Sequence, residues 1–198
     1  MFPSMFADLP SPSFPRPLLA LVAAAALAGP ALAADEVPPT IQASIFLKVL
    51  SYDRNLSTRA NGPVRLALVY RNGDAAGEAL SAALGTAFDD GKVPGVKVKT
   101  LALAFTTVAK LEADLIREKV TVAYLCDGMS DEVPAIVKVT QARSISTLGS
   151  AESYVKQGVS VAVARRGSRP AIVINLKASR AEGADLDSTV LRLAEIVE

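Results

Sequence analysis

Apolar residues recur along this chain in two alternating rhythms, and their order predicts its architecture. Val64-Arg65-Leu66-Ala67-Leu68-Val69-Tyr70 is a compact apolar run between Asn61-Gly62-Pro63 and Asn72-Gly73-Asp74, which reads as a strand closed by turns. Asp74 is placed to cap a helix over residues 75–88, with Leu80, Leu84 and Phe88 on one side, and Asp89-Asp90-Gly91 ends it. Residues 96–103 form a second strand pattern, and Thr107 opens a helix to Arg117 with Val108, Leu111 and Leu115 inward. Residues 120–125 are nearly all apolar, as expected of a strand covered on both faces. Ser130-Asp131-Glu132 begins a helix ending near Gln141, its acidic residues suited to the positive end of the helix dipole, and residues 143–147 read as a fourth strand.

The flanks complete the pattern. Thr40 is expected to cap a first helix reaching about Tyr52, with Ile41, Ile45, Phe46, Val49 and Leu50 at helical spacing. Ser150-Ala151-Glu152 suits the start of one short helical turn. Residues 159–164 and 171–175 predict two strands around Arg165-Arg166-Gly167-Ser168-Arg169-Pro170, a hairpin signal. Helical pieces are expected at residues 176–181 and 188–197; in the latter, Val190, Leu193, Ala194 and Val197 repeat at i, i+3, i+4 and i+7. Alternation of strand and helix from residue 64 to residue 147 implies crossover units. The expected fold is α/β: a single-domain three-layer sandwich with a mostly parallel sheet and a C-terminal antiparallel hairpin.

Ahead of this domain the rhythm is lost. Arg16 precedes an apolar run over residues 17–28, Gly29-Pro30 interrupts it, and Ala31 and Ala33 supply small residues for cleavage. That order reads as a secretory signal peptide over residues 1–33, with Met1 or Met5 as its start. It is too short and too cleanly terminated for a stable membrane span. Residues 34–39 are then a polar, Pro-containing lead-in to a domain over residues 40–198. The expected mature chain is exported and soluble, with no membrane span. The residue directly after the cleavage position is Ala34 and not a cysteine, so no lipid anchor is expected there.

Composition narrows the chemistry. The 198 residues carry a formal charge of +1, which gives no basic excess of the kind a nucleic-acid partner requires. With no histidine, serine–histidine and cysteine–histidine catalysis is closed off and the commonest metal ligand is missing. The glycines at 73 and 77 are wrongly spaced for a phosphate loop. Neither enzyme activity, a metal nor a cofactor is expected. Cys126, the one cysteine, is expected to be buried as a small apolar side chain, the alternative being an intermolecular bridge.

Three groups of residues are candidate contacts. Asn72, Asp74, Asp127 and Ser130 lie just beyond strands that precede helices, where open parallel sheets take ligands; equally, such residues serve as turns and caps. Arg165, Arg166 and Arg169 gather three guanidinium groups at one tight turn, suited to an acidic partner or a solvated tip. Tyr52, Asp53 and Arg54 end the first helix with an aromatic and polar groups, a contact surface or an ordinary helix end.

The C-terminal third carries a resemblance. Ser146-Thr147-Leu148-Gly149-Ser150 leads into Gly158-Val159-Ser160-Val161-Ala162-Val163, then the hairpin, then Ile172-Val173-Ile174-Asn175-Leu176-Lys177-Ala178-Ser179-Arg180-Ala181-Glu182-Gly183. Leu186-Asp187-Ser188-Thr189-Val190-Leu191-Arg192-Leu193-Ala194 closes the series. This order resembles the YfiR/HmsC-like family of periplasmic proteins, clearly over residues 146–197 and mainly in topology over residues 40–145. The resemblance implies a regulator that binds the periplasmic part of an inner-membrane sensor protein, a diguanylate cyclase, and holds it inactive. Cyclic di-GMP would fall and biofilm formation would be restrained. It also implies a homodimer. Well-known members carry cysteine pairs, whereas Cys126 stands alone here, so an internal redox bridge is not expected. The rival expectation is a small-molecule-binding module resembling one lobe of a transporter-linked receptor, with a cleft lined by residues 71–74 and 127–130. A hydrolase using a carboxylate or Ser–Lys pair is the third reading.

Overall fold

The structure is a computed structural model that describes residues 37–91 and 95–197. The expected signal peptide, residues 1–33, and residues 34–36 of the lead-in lie outside the described residues. The elements run α1 (Pro39–Leu50), α2 (Leu56–Ala60), β1 (Val64–Arg71), α3 (Ala75–Asp90), β2 (Val98–Phe105), α4 (Val108–Arg117), β3 (Val122–Leu125), α5 (Val133–Ala142), β4 (Ser146–Gly149), α6 (Glu152–Lys156), β5 (Val161–Arg166), β6 (Arg169–Asn175), α7 (Leu176–Ala181), α8 (Ser188–Leu191) and β7 (Ala194–Val197).

Among the described residues, the strands form one sheet in the order β2-β1-β3-β4-β5-β6-β7. Pairing is parallel throughout except between β5 and β6, which form an antiparallel hairpin with Arg166 opposite Arg169. Every residue of β3 is buried, because apolar layers cover both faces of the sheet. On one face, Leu66, Leu68, Tyr124, Leu148, Val161, Val163 and Ile174 pack against Phe46 and Leu50 of α1 and Leu84 and Phe88 of α3. Phe46 meets Tyr124 edge-on at 5.7 Å between ring centres. On the other face, Ala67, Val69, Ala123 and Leu125 meet Leu111 and Leu115 of α4, Val133, Ile136 and Val137 of α5, and Tyr154 of α6. The fold is thus a three-layer α/β sandwich with a mostly parallel sheet.

Local chemistry sets the boundaries. The Asp74 carboxylate accepts from the Ala76 N–H at 3.1 Å to cap α3, and the Thr107 hydroxyl oxygen accepts from the Lys110 N–H at 3.2 Å to cap α4. The first helix departs from expectation: it begins at Pro39, whose fixed φ suits a first helical turn, so Thr40 lies inside it rather than capping it. Ser144 takes a left-handed φ of 53° after α5, which delays β4 to Ser146. Helix α2 carries too short an apolar pattern for the sequence to announce it.

The last expected helix is a correction. Helical structure stops at Leu191, and Ala194–Val197 is a strand paired in parallel with β6. Its heptad-like spacing does not make a buried face, since Leu193 is 69% exposed. As a strand, the segment satisfies the outer backbone edge of β6 and alternates its side chains: Val197 packs on Ala162, Ala164 and Val173, while Ala194 turns to the α1 face. Among the described residues, no helix is long and apolar enough to cross a membrane.

Candidate functional site

Strands β1, β3, β4 and β5 point the same way, so their carboxyl ends and following loops share one rim of the sheet. In this strand order the crossovers reverse direction between β1 and β3, and a crevice is expected there. The protein fills that crevice itself. Arg71, the last residue of β1, donates from Nε and Nη2 to the Gly128 carbonyl at 3.0 and 2.6 Å and pairs with Glu132 at 2.8 Å. Asp74 packs beside the same loop: a Cβ on Gly77 would stand 2.8 Å from its Oδ2, and one on Gly128 would stand 3.4 Å from it. Gly128 also has a φ of +79°, a left-handed turn that a side chain would strain. Asn72 and Ser130 are exposed on the two loops flanking this clamp.

The open cleft lies one strand further along. It has a volume of about 490 Å³ and is lined by Val37, Gln42, Asp127, Ser150, Glu152, Val163, Arg165 and Arg166, among others. Three strand ends contribute: Asp127 follows β3, Ser150 follows β4, and the two arginines end β5. The start of α1 forms the remaining wall. It is anchored where the Tyr124 hydroxyl donates to Gln42 Oε1 at 2.8 Å and Gln42 Nε2 donates to the Val37 carbonyl at 2.7 Å.

Charges in the cleft are organised. The Ser150 hydroxyl donates to Asp127 Oδ1 at 2.6 Å. Arg166 makes paired hydrogen bonds to Glu152 at 2.9 and 3.1 Å and to Glu195 of β7 at 3.1 and 2.6 Å. Bonded first to Glu152 and then to Glu195, its guanidinium is held more basic than usual, and Glu152 is held below the ordinary carboxylate range. Arg165 donates from Nε to the Gly167 carbonyl at 3.0 Å. Arg169 is exposed opposite Arg166, and residues 165–170 form an exposed hairpin tip. An organic molecule or an acidic loop meeting this rim would encounter both signs of charge.

Tyr52, Asp53 and Arg54 stand at the opposite end of the sheet, where α1 finishes near the start of β4 and β5. Asp53 is buried and pairs with Arg59, and its Oδ1 accepts from the N–H groups of Asn55 and Asp185 at 3.0 and 2.9 Å. Arg59 also donates to Ser146 Oγ and to the Ser144 carbonyl, each at 2.9 Å. Arg54 pairs with Asp187 at 2.6 Å. Asp187 is pulled down to about 2, first by its hydrogen bonds to Thr189 at the start of α8 and then by Arg54. The Lys48 ammonium lies 5.0 Å above the Tyr52 ring. These groups tie the first helix to residues 183–187.

Two of the candidate groups therefore share the carboxyl rim, and the third sits across the molecule. Arg165, Arg166 and Asp127 converge on the cleft; Asn72, Asp74 and Ser130 border the filled crevice beside it. Sequence reading put Arg71 on the expected cleft and Glu132 and Glu152 at helix starts but gave none of them a partner, and it passed over Gln42, since nothing in the spacing of a strand's last residue or a helix's first turn marks a tertiary partner. Cys126 is buried behind the rim, and burial, with Asp127 and Asp74 nearby, pushes its thiol up to about 12. Among the described residues, no group of three or more Cys, Asp and Glu side chains is placed to hold a metal ion.

A family model described as YfiR/HmsC-like matches residues 40–195. No curated protein matches the sequence. Among solved structures, a conserved domain protein from Vibrio cholerae aligns with a TM-score of 0.60 at 15% identity, covering 82% of this chain and 61% of its own. An ABC domain in complex with L-Trp from Streptococcus pneumonia aligns with a TM-score of 0.59 at 14% identity, covering 81% of this chain and 62% of its own. A ligand-free, open substrate binding protein with adhesive properties from Clostridium difficile aligns with a TM-score of 0.54 at 14% identity, covering 76% and 59%. The chain spans about three fifths of the length of these structures, and the likeness is one of fold.

Proposed function

The chain belongs to the YfiR/HmsC-like family of periplasmic regulatory proteins, and on that premise we propose that it represses an inner-membrane signalling protein, a diguanylate cyclase, by binding its periplasmic part. The observation that carries this reading is the family match across residues 40–195, which takes in the whole described sheet up to the middle of β7. Residues 1–33 act as the export signal that delivers it to that compartment. The contact surface is the hairpin tip with Arg165 and Arg169. It projects from the rim on a rigid base, because Arg166 beneath it is fixed between two glutamates from different elements. A preset tip loses little freedom on docking. Repression follows if the tip binds the inactive state of the cyclase more tightly than the active one, since a ligand shifts a two-state equilibrium only by its differential affinity.

Deleting the gene should raise cyclic di-GMP, and a wild-type copy should restore it. A copy carrying Arg165→Glu and Arg169→Glu should be exported and folded yet fail to restore it. Full repression by that double variant would remove the hairpin from the contact surface, and an unchanged cyclic di-GMP level on deletion would reject the cyclase as target.

The cleft of about 490 Å³ favours a second reading, a small-molecule-binding module. Its place at the strand ends and the likeness to an ABC domain in complex with L-Trp support it. Amino acids, L-Trp included, should then raise the melting temperature by several degrees at millimolar concentration, and Asp127→Ala should abolish the shift; no shift with any of them counts against this reading.

A further inference from the structure

Glu182 follows α7 and turns its carboxyl into the sheet, where the residue is 0% exposed. It accepts from the Thr147 N–H at 2.8 Å, the Thr147 hydroxyl at 2.7 Å, the Thr140 hydroxyl at 3.4 Å and the Ser160 hydroxyl. All these donors are neutral. They come from α5, β4 and the start of β5, so one side chain gathers three elements. It does so where the sheet is incomplete. Strands β4 and β5 pair only at Leu148–Val161 and Gly149–Ala162. Before those pairs, the ladder is replaced by the Glu182 carboxyl on the Thr147 N–H and by the Thr147 hydroxyl oxygen accepting from the Ser160 N–H at 2.9 Å.

The charged groups of the surrounding elements are turned elsewhere. On α2, Arg59 reaches only the backbone carbonyl of Glu182, at 3.3 Å, and is engaged with Asp53. On α7, Lys177 and Arg180 are exposed, as are Lys138 on α5 and Lys156 on α6. Arg143, after α5, pairs with Glu112, and Asp185 pairs with Arg54. A buried carboxyl with no cation bonded to it is costly in its ionised form. A hydroxyl accepts as readily as it donates, so Thr140 and Ser160 allow the protonated acid to stay hydrogen-bonded.

We infer that Glu182 is a proton-operated latch for the C-terminal segment, residues 176–197: protonated it secures the segment to the sheet, and ionised it lets the segment open more readily. The segment comprises α7, α8 and β7, and its release would uncover the outer edge of β6. Burial pushes Glu182 up to about 7, outweighing the hydroxyl and amide donors that pull the other way. A group raised in the docked state and ordinary in the open state, near 4.5, binds more protons when docked. Docking is therefore strongest below the ordinary value and weakens as the pH rises through about 7. The inference is independent of what the rim binds.

Hydrogen exchange of the processed full-length protein tests it, with rates corrected for intrinsic chemistry. Between about pH 5 and about pH 8, opening of amides in residues 176–197 should increase roughly 50- to 100-fold in the wild type. The increase should be absent in Glu182→Gln, and amides of β1 and β3 should not share it. An increase equal in both proteins, or one spread evenly over the sheet, overturns the latch. Should the glutamine variant not fold, the carboxyl carbon resonance of Glu182 in the wild type decides: a midpoint well above 4.5 supports the latch, and a midpoint at the ordinary value overturns it.

Discussion

At the scale of single residues, the groups that matter most are those buried with one specific partner. Asp53 has a side chain only 2% exposed and is balanced by Arg59, itself 13% exposed. Removing the arginine leaves a carboxylate in the interior with only backbone donors. Arg59→Ala should cost about 3 kcal/mol in urea unfolding, whereas Arg54→Ala, on a surface pair, should cost under about 1 kcal/mol. Near-equal losses would mean that the Asp53 cluster is not the joint between the first helix and residues 183–187. Cys126 illustrates burial acting on reactivity. With its thiol pushed up to about 12, it should resist a thiol reagent at pH 8 in the native protein and react fully in denaturant. Rapid native labelling would show that the rim opens far enough to expose it. Neither Arg59 nor Glu182 was legible beforehand: an isolated charge between apolar patterns looks like a solvated position, and only the tertiary fold shows that it is enclosed.

At the scale of elements, legibility followed how much each segment depends on itself. The strand at residues 64–71 and the helix after Asp74 announce themselves, because the apolar run, the turn residues and the cap all lie within one short stretch. The hairpin is equally local, its turn closed by Gly167 at a φ of +60°. Strand β7 is the opposite case. Its spacing suits a helix, yet β6 presents an unpaired edge that a strand can satisfy, and the tertiary demand prevails over a weak periodic signal. Two changes follow from that assignment. Leu193→Ser should shift stability by no more than about 0.5 kcal/mol, because the leucine packs on little. Ending the chain after Leu193 removes the partner of β6 and frees Arg166 from Glu195; melting should fall by about 5 °C or more and the protein should become prone to association. An intact melting temperature after truncation would show that β7 is dispensable. The candidate site was half legible for the same reason. Strand ends point to a rim, but which loops meet there and which crevice Arg71 fills depend on the order of strands in the sheet.

At the scale of the whole molecule, a sheet buried on both faces acts as a rigid plate with two working ends. The carboxyl rim carries the cleft and the projecting arginine hairpin, and the opposite end carries the Asp53–Arg59 joint and the Glu182 latch. Arg166 relates the two ends: it holds the hairpin through Glu152 and, through Glu195, grips the same C-terminal segment that Glu182 secures. Loosening that segment withdraws one of the hairpin's two supports, so docking at the rim should weaken as pH rises through about 7 in the wild type and not in Glu182→Gln. The most direct measurement is a titration of the purified protein against the purified periplasmic domain of an inner-membrane diguanylate cyclase from the same cell. Saturable binding at micromolar or tighter concentration, weakened at least tenfold by Arg165→Glu with Arg169→Glu, is the predicted result. No binding to such a domain, or binding indifferent to that charge reversal, contradicts the account.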